Sequence, residues 1–274
     1  MTVEELLVFG KAHCHSDHSK IILGELLNKN PLELLNYLKE DVPLEKEKLY
    51  KEAILALETG KPLQYVLGNV NFYGYQYEID ERVLIPRFET EELVENTIEY
   101  INKYFKNPVD IVDLGCGSGV IGLTLEKKVS TKSVDLIDIS KDALKVTHKN
   151  CGKMNSKASI IQNDFLKNIS KQYDVIISNP PYIKTNEKID EIVKNNEPSI
   201  ALYAGEDGLD CYKKILEDCK KNMKNQCLIA FEIGPTQAQT ISNIVHQYLD
   251  NIRIEVKKDL SNRDRMLFVF KNIE

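Results

Sequence analysis

The chain has 274 residues, 42% hydrophobic and 28% charged, with 36 basic against 42 acidic side chains and a net charge of −6. Such a composition buries a core, and the length suits one large domain beside a smaller one. The acidic balance speaks against a chain that clamps nucleic-acid phosphates, which takes clustered Lys and Arg. Cys14, Cys116, Cys151, Cys211, Cys219 and Cys227 form no CxxC pair, match no zinc module and read as reduced thiols. The N-terminus lacks the pattern of a signal peptide and no apolar run reaches membrane-spanning length, so a cytoplasmic protein without a membrane partner is expected.

Residues 1–64 read as short helices. Thr2 and Glu5 form a capping box ahead of Leu6, Leu7 and Val8. His13-Cys14-His15 with Asp17 and His18 is the one cluster that resembles a metal site. Adjacent His and Cys cannot share a helix face, so a polar helix end and turn is the preferred reading and no metal is expected. Asn30-Pro31 predicts a cap and first helical residue for a helix carrying Leu32, Leu34, Leu35 and Leu38. Leu49, Ala53, Ile54 and Leu57 repeat at helical spacing until Gly60 and Pro62. No catalytic pattern falls in this segment.

The period then changes. Residues 69–79 alternate around Gly74, which predicts a β-hairpin. A helical domain at 1–64, a hairpin linker at 65–86 and a larger domain at 87–274 follow. A helix over 88–105 is stopped by Asn107-Pro108, and apolar strands are expected at 109–114, 133–138, 158–162, 173–178 and 226–233 with helices between most of them. That alternation predicts a parallel sheet covered on both faces. The tail strands 253–258 and 266–270 leave no room for a crossover helix and should close the sheet as an antiparallel pair. Seven strands so arranged are the α/β, Rossmann-like sheet of S-adenosylmethionine-dependent methyltransferases, here with a small N-terminal helical domain and a connecting hairpin.

Two strings carry the chemistry. Asp113-Leu114-Gly115-Cys116-Gly117-Ser118-Gly119 ends a strand and opens a helix. Its glycines let main chain approach a ligand closely, and the helix start is electropositive. Asp138 ends the next strand, where a carboxylate can accept both hydroxyls of a ribose. Asp164 and Phe165 follow the third strand and are candidates for the amino group and face of an adenine, with a simple loop cap as the alternative. Residues 117–122 also match G-x-G-x-x-G, which leaves a dinucleotide site open, although Asp113 would repel a pyrophosphate.

The second string, Asn179-Pro180-Pro181-Tyr182, follows an apolar strand. Prolines fix the backbone, and the Asn179 amide oxygen with the Pro180 carbonyl can accept both hydrogens of an –NH₂ group. Such acceptors push electron density back onto an amide nitrogen, which is otherwise a poor nucleophile. Tyr182 would pack on the substrate's planar group. In this order the two strings point to methyl transfer from S-adenosyl-L-methionine to an amide or amino nitrogen.

With these motifs the chain resembles the release factor glutamine methyltransferases nearly end to end. Pro62–Gly68 with Phe72-Tyr73-Gly74, Val83–Arg87, Glu89-Thr90-Glu91, Asn196-Glu197-Pro198, Glu232-Ile233-Gly234 and Lys258-Asp259-Leu260 with Arg263-Asp264-Arg265 carry the likeness. Phe88 stands where that family usually has proline. The resemblance implies methylation of the glutamine of the Gly-Gly-Gln motif in class 1 peptide chain release factors, without direct nucleic-acid binding. It implies that Asn179, Pro180, Pro181 and Tyr182 bind the glutamine, and that Gly115 to Gly119, Asp138, Phe165 and Asn179 contact the cofactor. Methylation of an exocyclic amino group of a nucleic-acid base is the alternative.

Overall fold

The structure is a computed structural model and describes residues 1–273. It divides into two compact units, one of Met1–Val70 with Asp190–Asn196, the other of Asn71–Ile189 with Glu197 onward.

The first unit holds α1 (Val3–His13), α2 (Ser16–Leu27), α3 (Leu44–Glu58) and α4 (Leu63–Leu67). The capping box forms: Thr2 Oγ1 accepts the Glu5 N–H at 3.3 Å while the Glu5 carboxylate accepts the Thr2 N–H at 2.9 Å. His13 ends α1 with its ring 3.2 Å from the Glu58 carboxylate, and His15 caps α2 by accepting the Asp17 N–H at 3.4 Å. The helix expected after Asn30-Pro31 is instead a five-residue 3₁₀ turn, Glu33–Tyr37. Asn30 accepts the Leu32 N–H at 2.9 Å, but the residue that caps the turn is Leu32, with no side-chain cap; Leu32 and Leu35 are exposed and Leu34 alone is fully buried. Without a continuous buried stripe, leucine spacing does not sustain an α-helix.

Leu6, Ile22, Leu23, Leu34, Tyr50 and Ile54 form the core of this unit. The Tyr50 hydroxyl donates to the Leu6 carbonyl at 3.0 Å and meets Ser19 Oγ at 2.7 Å, and burial pushes its pKa up to about 12. A Cβ on Gly10 would stand 2.1 Å from that hydroxyl. Gly10→Ala should therefore cost about 1–3 kcal/mol, the range for overpacking a tight site. The urea midpoint of the full chain reads it, and an unmoved midpoint would contradict the close crossing.

Next in the chain comes a hairpin, β1 (Asn69–Phe72) and β2 (Tyr75–Glu78), which belongs to the second unit from Asn71 on. Its turn residues Tyr73 and Gly74 both take positive φ, +49° and +80°, which suits the twist of a two-residue hairpin. There follow α5 (Phe88–Tyr104), β3 (Val109–Leu114), α6 (Val120–Lys128), β4 (Thr131–Asp138), α7 (Lys141–Lys153), β5 (Ser159–Gln162) and β6 (Tyr173–Ser178). After α8 (Glu191–Asn196), which belongs to the first unit, come α9 (Asp210–Asn222), β7 (Met223–Glu232), α10 (Ala238–Tyr248), β8 (Ile252–Lys258) and β9 (Asp264–Lys271). Phe88 is the first residue of α5 and is exposed. That position tolerates proline or any other residue, because its N–H has no intrahelical acceptor.

Seven strands lie in the order β5-β4-β3-β6-β7-β9-β8. β3, β4, β5, β6 and β7 are parallel, and β9 runs against both β7 and β8. The expected closing pair is thus one reversed strand slotted between β7 and the edge strand β8. Both faces are covered. Leu267 and Val269 pack with Ile241 and Val245 of α10, while the alternating Phe268 and Phe270 meet Tyr100 of α5 at ring distances of 4.9 and 5.0 Å. From β3 the chain steps outward through β4 to β5, then returns to place β6 on the other side of β3. Ligands in open α/β sheets bind at such a reversal, beyond the carboxyl ends of the strands.

Candidate functional site

Both motif strings leave the sheet at that reversal. Leu114 and Ser178 are register partners at the ends of β3 and β6, and the Ser178 hydroxyl donates to the Leu114 carbonyl at 2.6 Å. Beyond them opens a cavity of about 340 Å³. Its wall includes Gly115, Cys116, Gly117, Ser118, Asp138, Asp164, Phe165, Asn179 and Pro181, so residues from distant parts of the sequence meet there.

Gly115, Gly117 and Gly119 all sit at positive φ, +67°, +55° and +82°, where a side chain would be strained. A Cβ on Gly117 would project into open space, and Gly119 is the N-cap of α6. The loop is held from behind. Cys116 N–H reaches the Ile137 carbonyl at 2.9 Å, Thr147 Oγ1 donates to the Gly117 carbonyl at 2.7 Å, and Asn150 donates to the Ser118 carbonyl at 2.9 Å. Asn150 also exchanges hydrogen bonds of 2.7 and 2.9 Å with the Glu78 main chain at the end of β2. Sequence reasoning missed Thr147 and Asn150. The signal was their place in the buried stripe of α7 with Ala143 and Val146, where a polar residue needs a partner.

Gly122 completes the G-x-G-x-x-G pattern for a packing reason: a Cβ there would stand 2.3 Å from Leu136 and 3.1 Å from the Asp113 Cβ. Burial raises the Cys116 thiol well above its ordinary pKa, which disfavours the reactive thiolate.

Asp138 uses one oxygen to accept the Gly117 N–H and the other to accept the Ser140 N–H, each at 2.8 Å. Each oxygen retains a lone-pair site for a further donor. Burial raises its pKa against the pull of those N–H groups. Asp164 pairs with Lys214 at 3.5 Å, and the Phe165 ring would lie 3.7 Å from a Cβ on Gly115. The loop-cap role falls to Asn163, which donates to the Phe165 and Lys167 carbonyls at 2.9 and 2.8 Å.

Asp113 is fully buried beneath the loop. One oxygen accepts the Gly122 N–H at 2.9 Å; the other has no hydrogen-bond partner among the described residues. Burial, with the Asp138 charge adding, pushes its pKa from 3.8 to about 7. The folded state therefore holds a proton that the unfolded chain has lost over this window. Asp113 lends stability that is fully present below 3.8 and is lost as pH rises through about 7. Asp113→Asn should flatten the fall of Tm across that range in buffered thermal melts, and parallel Tm curves for the two proteins would contradict this.

In the tetrapeptide, Asn179 and Pro181 reach the cavity wall, Pro180 is buried, and the Tyr182 ring packs against the core of the sheet. Tyr182 is tightly held. Its carbonyl accepts from Gln237 at 3.0 Å, its hydroxyl lies 3.4 Å from the buried Arg265, and burial pushes its pKa up to about 12. The Asn179 amide donates to Thr90 Oγ1 at 3.1 Å, and Thr90 donates to the Glu232 carboxylate at 2.6 Å. At the rim, Glu197 accepts the Ile85 N–H at 3.1 Å and pairs with Arg87. Thr90, Glu197, Glu232 and Arg265 entered the sequence reading only as parts of a resemblance; their contacts here are with residues far away in the chain.

Comparison with known proteins is consistent across the chain. Residues 16–68 match the PrmC N-terminal domain family and residues 93–196 the Methyltransferase small domain family. A release factor glutamine methyltransferase of Streptococcus pneumoniae (strain ATCC BAA-255 / R6) is 36% identical over 97% of this chain and 94% of its own length. One of Bacillus cereus is 34% identical over 91% of this chain and 90% of its own. The chain belongs to the release factor glutamine methyltransferases. It is thus an enzyme, and its seven-stranded sheet is a methyltransferase sheet, as expected from the strand pattern. The T. Thermophilus 16S rRNA N2 G1207 methyltransferase, solved in complex with AdoMet and guanosine, has the same fold. It aligns with a TM-score of 0.54 at 14% identity, over 74% of this chain and 50% of its own. Among the described residues no helix is long and apolar enough to cross a membrane.

Proposed function

We propose that the enzyme transfers a methyl group from S-adenosyl-L-methionine to the side-chain amide nitrogen of the glutamine in the Gly-Gly-Gln motif of class 1 peptide chain release factors. One observation carries the reading: Asn179 stands on the wall of the cavity that the glycine loop also lines, the two issuing from neighbouring strands. The residues fit such a cofactor. The loop Gly115-Cys116-Gly117-Ser118-Gly119 offers main chain at close approach, with open space where a Gly117 side chain would project. Asp138 has acceptor capacity for ribose hydroxyls, and Asp164 with Phe165 would hold the adenine. When bound, the cofactor supplies an electrophilic methyl on a sulfonium.

Everything else falls to the chain. Asn179 Oδ1 and the Pro180 carbonyl accept hydrogen bonds from the two amide N–H groups, return density to nitrogen and aim its lone pair; once methylated, the nitrogen gives up one of its two protons to water. Pro181 and Tyr182 shape the seat of the carboxamide. Residues 1–64 engage the release factor, 65–86 link, and 87–274 catalyse. Such a partner puts the reaction in the cytoplasm and needs no direct nucleic-acid contact.

The test is incubation with methyl-labelled cofactor and either a class 1 release factor or nucleic acid, followed by mass spectrometry of the Gly-Gly-Gln peptide. One added methyl on the glutamine is expected. Label in nucleic acid alone would overturn the reading in favour of base methylation.

A further inference from the structure

A side-chain amide is nearly symmetric in shape, yet turning it over exchanges an acceptor for two donors. Asn179 serves as an acceptor only if Oδ1, not Nδ2, faces the substrate. Three elements converge on this choice: Thr90 in the first turn of α5, Asn179 after β6, and Glu232 at the end of β7. Thr90 and Glu232 are each only 2% exposed, so water does not compete for their hydrogen bonds. A hydroxyl has one proton to give. An ionised carboxylate only accepts, so the 2.6 Å contact to Glu232 takes the Thr90 proton. What Thr90 then presents to Asn179, 3.1 Å away, is a lone pair, and only the –NH₂ end can answer it.

We infer that Thr90 and Glu232 are positioning residues that set the orientation of the Asn179 amide, leaving Oδ1 for the substrate's N–H. The purpose of the relay rests on the proposed glutamine chemistry; its geometry does not. The polarity also has a built-in reversal. A protonated Glu232 donates to Thr90, which then donates to Asn179 and draws Oδ1 inward. The titratable and charged groups facing Glu232 are Arg87 and Glu89 at the start of α5, Arg265 on β9, Tyr212 on α9 and Tyr182. Burial, with Glu89 assisting, outweighs the Thr90 hydrogen bond and the two arginines, and Glu232 is raised from 4.5 to about 7.

The experiment compares full-length wild type, Thr90→Val and Thr90→Ser. The nitrogen-15 signal of the Asn179 side-chain amide, identified by its loss in Asn179→Asp, is followed across a pH titration. kcat and KM are measured with a release factor. In wild type the signal should move as pH crosses about 7, and in Thr90→Val it should not. Valine should lower kcat roughly tenfold, the scale of one neutral hydrogen bond, with a smaller change in cofactor KM, and serine should recover most of the loss. The dispersion of the same spectra confirms that each variant is folded. A valine variant whose Asn179 signal titrates as in wild type, or whose kcat matches it, overturns the relay. Should the signals behave as expected while wild type leaves the Gly-Gly-Gln glutamine unmethylated, the relay stands and the proposed function fails.

Discussion

Asn179→Ala should lower turnover by roughly 10²–10³, the scale for losing one preorganised hydrogen bond to a developing transition state. The residue sits where the chemistry needs rigidity. It follows a buried strand, precedes two prolines and is tied to Thr90 at 3.1 Å. An amide nitrogen has its lone pair delocalised into the carbonyl, so the enzyme must localise that density before a methyl can be accepted. An acceptor fixed in advance does so without reorganising during the reaction, whereas water filling an alanine variant's gap would have to reorient. Because the contact strengthens as nitrogen becomes more positive, the loss belongs in kcat, with a lesser change in the KM for either substrate. Single-turnover rates with saturating cofactor and release factor would measure it. A large loss of cofactor affinity with normal turnover would take Asn179 out of this role and make it a cofactor ligand alone.

Much of this site was legible because its strongest constraints are local. Three glycines between a strand and a helix announce backbone that a side chain would strain, and all three adopt positive φ. Strand lengths followed from apolar runs bounded by turns, and the seven strands lie within a few residues of their expected ends. What escaped depends on pairing across distance. Thr147 and Asn150 fasten the glycine loop from a helix some thirty residues on; their place in its buried stripe says that each needs a partner, but nothing local says which. Leu32 and Leu35 misled for the opposite reason: their spacing fits a buried stripe, yet no neighbour covers them and the segment tightens into a 3₁₀ turn. Tyr182 is a third case. Its motif is local, but Gln237 and Arg265, which hold its carbonyl and hydroxyl, come from later segments that no spacing announces.

Asp138→Ala should weaken S-adenosyl-L-methionine binding by about 1.5–3 kcal/mol, the range for a hydrogen bond to a charged group. Two effects act in the same direction. On the proposed reading the variant loses an acceptor for ribose hydroxyls, and it frees the Gly117 and Ser140 N–H groups that the carboxylate now takes at 2.8 Å each. The second effect alone would loosen the glycine loop without touching a ligand, and a control separates them. Thr147→Val removes the 2.7 Å support to the Gly117 carbonyl but leaves the carboxylate in place, so it should weaken binding less. A further separation comes from an S-adenosylmethionine analogue lacking one ribose hydroxyl. Wild type should bind it more weakly than the parent cofactor, while Asp138→Ala should hardly distinguish the two, since the group that reads the hydroxyl is gone. Titration calorimetry of both proteins with both ligands closes the cycle. If the alanine variant bound the parent cofactor as tightly as wild type, Asp138 would be no more than a clasp for its own loop, and the ribose would have to be held from another part of the cavity wall.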